Sequence, residues 1–188
     1  MSKVVIISGS SGSGKTTISK YLLSISKFKL KFSISACTRE RRKEEVHGSD
    51  YIFLELPVFK HKIKNKEFLE WEEVYENQFY GTLKVETEKV LNSGYNILFD
   101  VDIKGALALK QYYNERAISI FVKPSSIETL KNRLINRKTE TKLGLKRRID
   151  KMQNEIAQGV GCDKVLLNDD LVEAKRSVYV TIKQFLAP

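Results

Sequence analysis

The sequence predicts one α/β domain in which a mainly parallel, five-stranded sheet is flanked by helices. Short apolar runs rich in β-branched residues recur along the 188-residue chain, and helical patterns separate several of them. A glycine-rich loop follows the first run, as it does in nucleotide-binding α/β domains. The chain length fits a single domain. The five runs span residues 4–8, 31–36, 95–100, 117–122 and 163–167.

The loop after the first predicted strand has the pattern G-x-x-x-x-G-K-[ST]. Its residues are Gly9, Ser10, Ser11, Gly12, Ser13, Gly14, Lys15 and Thr16. Glycines let successive N–H groups point at phosphate oxygens, and the helix that begins with Thr16 and Thr17 adds a favourable dipole. We expect Lys15 to reach the β- and γ-phosphates and the Thr16 hydroxyl to ligate Mg²⁺. A ligand-free glycine-serine turn is disfavoured by the strand and helix that flank the loop.

The net charge of +10 and the pI of about 9.5 leave two interpretations open. The excess could serve nucleic acid, or it could combine phosphate-binding arginines with a lysine-rich solvated surface. The lysines are spread along the chain and no nucleic-acid-binding motif is present, so we expect no nucleic-acid partner.

Composition and the first residues also bear on location. No apolar run approaches the ~20 residues of a membrane helix, and the first strand begins too close to Met1 for a signal peptide. We expect Cys37 and Cys162 to be unpaired thiols in a reducing compartment, and the protein to be cytoplasmic and not membrane-bound. The sequence does not indicate an oligomeric state.

Two regions interrupt the alternation of strands and helices. Residues 35–82 are rich in aromatic side chains and predict a small β-rich insertion. Residues 125–159 include a basic, polar helical stretch that predicts a lid, and a capping box is predicted at Ser125 and Glu128. The predicted core consists of residues 1–34, 83–124 and 160–188, with helices over 83–92 and 171–186.

Arginines and hydroxyls cluster in residues 33–42, just past the end of a predicted strand. Ligands bind at the carboxyl ends of strands in open α/β sheets, and arginine matches the geometry of phosphate. Taken alone, however, this segment could equally be a solvated basic loop.

Further motifs follow the loop in a fixed order. They are S-x-x-x-R-x-x-R at 35–42, G-x-D-Y-x-F at 48–53, F-L-E-W at 68–71, Y-G-T at 80–82, D-V-D-x-x-G at 100–105, R-L-x-x-R at 133–137, Arg148, and N-D-D at 168–170. Together with the loop, they resemble the guanylate kinase family, whose members phosphorylate GMP with ATP. The resemblance covers nearly the whole chain and implies the P-loop nucleoside monophosphate kinase fold, with a GMP-binding insertion and a helical lid.

The resemblance also implies roles for individual residues. The GMP phosphate is expected to bind Arg39, Arg42, Tyr51 and Tyr80. Guanine is expected to donate to Glu70, with Ser35 and Thr82 at O6 and N7 and Asp102 on the amine side. Asp100 is expected near GMP and the phosphates, and near Mg²⁺ through a water molecule. Asn168 is expected to lie near the adenine of ATP. The lid is expected to clamp the phosphates with Arg133, Arg137 and Arg148.

The chain departs from the family pattern at two places. Arg41 stands where the family usually has proline, and Ala36-Cys37 replace small hydroxyl residues.

Two other functions are possible for such a chain. A P-loop kinase for another nucleoside monophosphate is disfavoured by Glu70 with Asp102. A non-catalytic guanylate-kinase-like module that binds phosphopeptides is disfavoured because the loop lysine and the lid arginines are retained. GMP, and also dGMP, are therefore the expected acceptors.

Overall fold

The computed structural model describes residues 1–10, 12–126, 128–129 and 157–187. Within these ranges, strands and helices alternate along most of the chain. In chain order the elements are β1 (Val4–Gly9), α1 (Lys15–Leu23), β2 (Leu30–Phe32), β3 (Ala36–Cys37), β4 (Ile52–Phe53), α2 (Leu56–Lys64), β5 (Phe68–Tyr75), β6 (Gln78–Leu83), α3 (Lys84–Asn92), β7 (Asn96–Asp100), α4 (Ile103–Tyr113), β8 (Ala117–Lys123), β9 (Lys164–Leu167) and α5 (Leu171–Leu186).

The central layer is a five-stranded sheet in the order β2-β7-β1-β8-β9. Every neighbouring pair in it is parallel, which confirms the predicted α/β fold class. All residues of the central strand β1 are buried. Its continuous apolar sequence is typical of a parallel sheet that is covered on both faces.

The alternating side chains of β1 divide the core into two layers. Val5 and Ile7 pack with Ile18 of α1 and Val178 of α5 on one face of the sheet. The neighbouring positions Val4 and Ile6 pack on the opposite face with residues of α3 and α4, among them Leu91 and Leu109. Each fully buried aliphatic side chain contributes about 1.5–3 kcal/mol. These two layers fix the strand ends that carry the candidate site.

The inserted segment forms a second, four-stranded sheet in the order β4-β3-β6-β5. The predicted run over 31–36 is therefore not one strand, because β2 ends at Phe32 in the core sheet and β3 begins at Ala36 in the second sheet. The predicted β-rich character is confirmed, but α2 was not predicted. It packs Phe59 against Phe68 of β5, with ring centroids 4.3 Å apart.

The helices predicted over 83–92 and 171–186 are confirmed by α3 and α5. The cap predicted at Ser125 is wrong by one residue. Ser126 Oγ accepts the hydrogen bond from the Thr129 N–H at 3.1 Å, while the Ser125 N–H donates to the Asp169 carboxylate. Most of the predicted lid lies outside the described residues, and the boundaries of core, insertion and lid stay a prediction. In the described part of the chain, no helix combines the length and apolarity needed to cross a membrane.

Candidate active site

The candidate site lies where the strands of the core sheet end. β1 ends at Gly9, β7 at Asp100 and β9 at Leu167, directly before Asn168. Because the strands are parallel, these carboxyl ends meet along one edge of the sheet. This edge is where open α/β sheets bind ligands. The sequence-predicted residues of the loop, Asp100 and Asn168 are thus brought together by the sheet.

The phosphate-binding loop connects β1 to α1 through backbone conformations that only glycine adopts easily. Gly12 has φ of 85° and Gly14 has φ of 95°. Gly14 is the N-cap of α1, so the free amides of the first helical turn face the loop. The Ser10 and Ser13 hydroxyls are buried, and neither has a hydrogen-bond partner among the described residues. The loop thus presents amides and hydroxyls of the kind that an anion requires.

Asn168, directly after the end of β9, supports this loop from two strands away. Its side-chain Nδ2 donates to the Ser13 carbonyl oxygen at 2.7 Å, and its backbone N–H donates to Lys123 O at 2.9 Å. A Cβ atom added to Gly14 would collide with the same Nδ2 atom. Asn168 therefore packs against the loop backbone, a role that the sequence did not predict. Its predicted position near adenine stays a prediction.

Lys15 lies at the first position of α1 with its ammonium group turned towards the loop. Its Nζ donates to Gly9 O at 2.5 Å and lies 3.4 Å from Ser10 O. Burial raises the pKa of the Asp100 carboxyl, and the positive charge of Lys15 opposes that rise. The lysine and the aspartate therefore share one electrostatic environment at the end of β7.

Two oxygen-bearing side chains at this edge fit a magnesium ion. The Thr16 side chain is exposed beside the loop, and Asp100 ends the strand next to β1. Mg²⁺ prefers oxygen ligands, and at phosphate sites one or two protein oxygens supplement phosphate and water. Across the described ranges, no group of three or more His, Cys, Asp or Glu side chains is arranged to hold a metal ion.

The second sheet positions Glu70 on β5 opposite Thr82 on β6. Thr82 Oγ1 donates a 2.5 Å hydrogen bond to Glu70 Oε1. Burial is the main cause that raises the pKa of the Glu70 carboxyl, and the charge of Asp102 raises it further. Because the Thr82 hydrogen points at Glu70, this hydroxyl would have to turn before it could donate to guanine O6 or N7.

Gly105 of α4 allows the Glu70 carboxylate to approach the core domain. A Cβ atom at Gly105 would lie 3.1 Å from Glu70 Oε2 and 3.3 Å from Asp102 Oδ1. Asp102 also caps α4, because its Oδ1 accepts from the Gly105 N–H at 2.8 Å. Both carboxylates line a groove of about 530 Å³. The structure thus brings the two predicted guanine-binding acids together.

A second cluster lies further along β6, around Tyr80. The Tyr51 and Tyr80 rings meet edge to face with centroids 6.1 Å apart. The Arg39 guanidinium lies 4.8 Å from the Tyr51 ring centroid, and hydrogen bonding to Glu45 and to Tyr80 raises the pKa of Arg39. Burial raises the pKa of the Tyr51 hydroxyl. The predicted phosphate-binding arginine and both tyrosines therefore form one basic, hydroxyl-bearing cluster, which we call the Arg39 pocket.

The spacing along β6 relates the two clusters. Tyr80 and Thr82 are two residues apart on one strand, so their side chains project from the same face about 7 Å apart. This separation suits a nucleotide with its base at Glu70 and its phosphate at Arg39. Ser35 lies at the adjacent strand, where its carbonyl accepts from the Ile52 N–H at 2.9 Å.

Other predicted residues are placed differently or are not described. Arg42 is exposed; its backbone N–H donates to Glu45 Oε2 at 3.0 Å, and its carbonyl oxygen accepts from the Glu45 N–H at 3.1 Å. Glu45 was missed at the sequence level, because nothing local distinguishes it from Glu44 beside it. Four predicted site residues lie outside the described residues: Ser11, Arg133, Arg137 and Arg148.

The sequence pattern of a known family covers nearly all of this architecture. The family model described as guanylate kinase matches residues 1–185. The chain belongs to the guanylate kinase family. This assignment confirms the resemblance that the sequence motifs indicated.

Individual guanylate kinases agree with this assignment. A guanylate kinase of Bacteroides fragilis is 49% identical over 184 residues, which covers 98% of this chain and 90% of the relative. A guanylate kinase of Porphyromonas gingivalis is 44% identical over 187 residues and is matched over the full length of both chains. The crystal structure of guanylate kinase from Anaplasma phagocytophilum superposes with a TM-score of 0.76 at 25% identity, covering 100% of this chain and 87% of that chain.

Proposed function

We propose that this guanylate kinase transfers the γ-phosphoryl group of ATP to GMP, and also to dGMP, at the cleft between its two sheets. The observation that supports the proposal is that Glu70 and Asp102 meet at Gly105 of α4, the helix that follows the strand end carrying Asp100. One side of the cleft suits a triphosphate, and the other suits a purine monophosphate. The products are ADP and GDP.

ATP is assigned to the loop and the start of α1. The loop amides, Ser10 and Ser13 bind phosphate oxygens, and Lys15 moves from its contact with Gly9 O to the β- and γ-phosphates. Thr16 would hold Mg²⁺, with Asp100 as a further contact through water, and the ion would supply charge neutralisation on the phosphates. Asn168 keeps the loop backbone in its binding conformation.

GMP is assigned to the second sheet. Glu70 accepts from guanine N1–H and the 2-amino group, Thr82 holds the Glu70 carboxylate by its hydrogen bond, and Asp102 lies on the amine side of the base. The phosphate binds Arg39, Tyr51, Tyr80 and Arg42. Adenine lacks the N1–H donor and the 2-amino group, so AMP would leave the buried Glu70 carboxylate with Thr82 as a donor but with none from the base.

The transfer step requires two anions aligned and charge compensation as the phosphoryl group moves. Lys15 supplies part of that charge. We assign the rest to Arg133, Arg137 and Arg148, on the basis of the family motifs. Residues 35–82 then act as the GMP-binding insertion and 125–159 as the lid, and the availability of both substrates suggests a cytoplasmic location.

A coupled assay tests the proposal directly. ATP is supplied with GMP, dGMP, AMP, UMP or dTMP, and ADP formation is measured. We expect GMP to give the highest kcat/KM, dGMP to be used as well, and AMP to be used at least about a hundredfold less well. Comparable use of AMP or a pyrimidine monophosphate would contradict the assignment of Glu70.

A further inference from the structure

Hydrogen bonds within the protein fix the Arg39 side chain without a bound ligand. Its Nη1 and Nη2 atoms donate to the two carboxylate oxygens of Glu45 at 2.7 and 2.6 Å. Nη1 also donates to the Glu40 carbonyl oxygen at 2.9 Å. Both charged side chains are largely covered, with 13% of Arg39 and 16% of Glu45 exposed. This arrangement is an ordered bidentate pair rather than a loose surface contact.

The donors of the guanidinium can be counted from these contacts. A guanidinium has five N–H groups in one plane. Glu45 takes the end formed by Nη1 and Nη2, and Glu40 takes the second hydrogen of Nη1. The two remaining hydrogens, on Nε and the outer side of Nη2, lie along one edge of the group, where the Tyr80 hydroxyl is also a hydrogen-bond partner of the guanidinium. That edge can bind two oxygens of a phosphate in parallel once the Tyr80 hydroxyl turns to donate to the same phosphate.

The Glu45 carboxylate also holds the backbone of the turn that contains Arg42. Glu45 Oε2 accepts from the Arg42 backbone N–H at 3.0 Å. Arg39, followed by the Arg42 backbone, lowers the pKa of the Glu45 carboxyl to about 2, so it is ionised in the neutral range. Glu45 therefore fixes both the guanidinium of Arg39 and the turn that carries Arg42.

We propose that Glu45 is a positioning residue that makes Arg39 present its Nε–Nη2 edge to the 5′-phosphate of GMP. The inference rests on the proposed function, in which Arg39 binds that phosphate. Glu45 contacts the end of the guanidinium and leaves the Arg39 pocket to the substrate. If Glu45 instead occupied the phosphate position itself, its removal would strengthen GMP binding, which is the opposite outcome.

The test compares Glu45→Gln with Glu44→Gln, a control that removes the same charge at the adjacent exposed position. We expect Glu45→Gln to raise KM for GMP about ten- to a hundredfold, the range for a charged hydrogen bond. KM for ATP and kcat at saturation should change by less than about twofold. Guanosine lacks the phosphate, so its inhibition constant against GMP should also be unchanged. Glu45→Asp, which keeps the charge on a shorter side chain, should give an intermediate KM and provides a second variant.

An unchanged or lower KM for GMP in both Glu45 variants would overturn the inference. A parallel loss of guanosine binding would also overturn it, because that loss would indicate general damage to the insertion. Arg39→Ala separates this result from the proposed function. If Arg39→Ala leaves KM for GMP unchanged, the phosphate assignment itself fails. If Arg39→Ala raises it, Glu45→Gln in that background should add less than about twofold, and fully additive effects would exclude action through Arg39.

Discussion

The side-chain amide of Asn168 donates a 2.7 Å hydrogen bond to the carbonyl oxygen of Ser13, which joins the end of β9 to the phosphate-binding loop. The loop conformation therefore depends on a residue far away in sequence. Gly14 completes this contact, because only a residue without Cβ leaves space for the amide and adopts φ of 95° without strain.

Asn168→Ala should weaken ATP binding more than GMP binding. The substitution leaves the Ser13 carbonyl without this donor, and an unsatisfied buried polar group costs about 1–3 kcal/mol. We expect KM for ATP to rise about five- to a hundredfold, while KM for GMP changes by less than twofold. Steady-state kinetics with each substrate varied check this, with the exposed Asn92→Ala as control. Equal effects on both substrates would contradict a local role in the loop.

Glu70→Gln should impair use of GMP far more than use of ATP. Glutamine retains one acceptor but presents an amide donor to the guanine N1–H, so a charge-assisted hydrogen bond worth about 1.5–3 kcal/mol is lost. The two KM values are measured and compared with those of Glu76→Gln, an exposed acid in the turn after β5. A rise confined to the KM for ATP would refute the assignment.

The same variant should be more stable than the wild type at neutral pH. Burial and, secondarily, Asp102 raise the pKa of Glu70, so the folded state holds this proton more tightly than the unfolded chain. Glu70 then favours folding most below its unfolded pKa of about 4.3, and its contribution falls as pH rises through the folded pKa. Glu70→Gln removes the free-energy cost of keeping an ionised carboxylate buried at neutral pH.

Thermal unfolding of the ligand-free protein between pH 4 and pH 8 measures this effect. We expect Glu70→Gln to raise Tm at pH 7–8, by about 2–4 °C for each kcal/mol of relief, and the difference to vanish near pH 4. Glu76→Gln should show no such pH-dependent difference. A Tm difference that grew towards low pH would reverse the sign and exclude this explanation.

Lys15→Met should nearly abolish turnover while leaving the fold intact. The ammonium group is lost from the loop, and with it the charge expected on the β- and γ-phosphates. Turnover and Tm are measured beside Lys20→Met, an exposed lysine on α1. A kcat/KM within about threefold of wild type, which is under 1 kcal/mol, would rule out the assigned role.

Arg137→Ala and Arg148→Ala should lower kcat more than they raise either KM. Charge compensation at the moving phosphoryl group acts mainly in the transition state, and arginine fingers elsewhere contribute about 10³–10⁵ in rate. Single-turnover rates at saturating ATP and GMP check this, with Lys142→Ala as a control for loss of positive charge. Normal turnover at saturation would show that these arginines only bind substrate.

Local patterns were sufficient to predict most of the fold. The strand runs, the glycine-rich loop and α5 are encoded by residues close together in sequence, and each was found near its observed position. The single strand predicted over 31–36 was wrong because apolar periodicity cannot show that the chain changes sheets after Phe32. The helix α2 did carry a signal that was not used: Pro57 in its first turn, and Phe59 and Ile63 four residues apart.

The candidate site was predictable only where a side chain belongs to a spaced motif. Glu70, Asp102 and Arg39 were predicted in this way; the structure brings the two acids together, and their roles stay a prediction. The roles of Glu45 and Asn168 depend on partners that only the folded chain brings near. A carboxylate beside a second glutamate, and an amide facing a distant loop, have no local sequence pattern that reveals the contact.

The strand order also determines when the chain can fold. In β1, Val4 lies beside Ile97 of β7 on one side and Ala117 of β8 on the other. This fully buried strand is thus synthesised first and has neither neighbour until more than half of the chain has been made. In contrast, β5 and β6 adjoin in sequence and can pair soon after synthesis. We therefore expect pairing in the second sheet to begin first on the ribosome, while β1 is an exposed apolar segment for chaperones to protect.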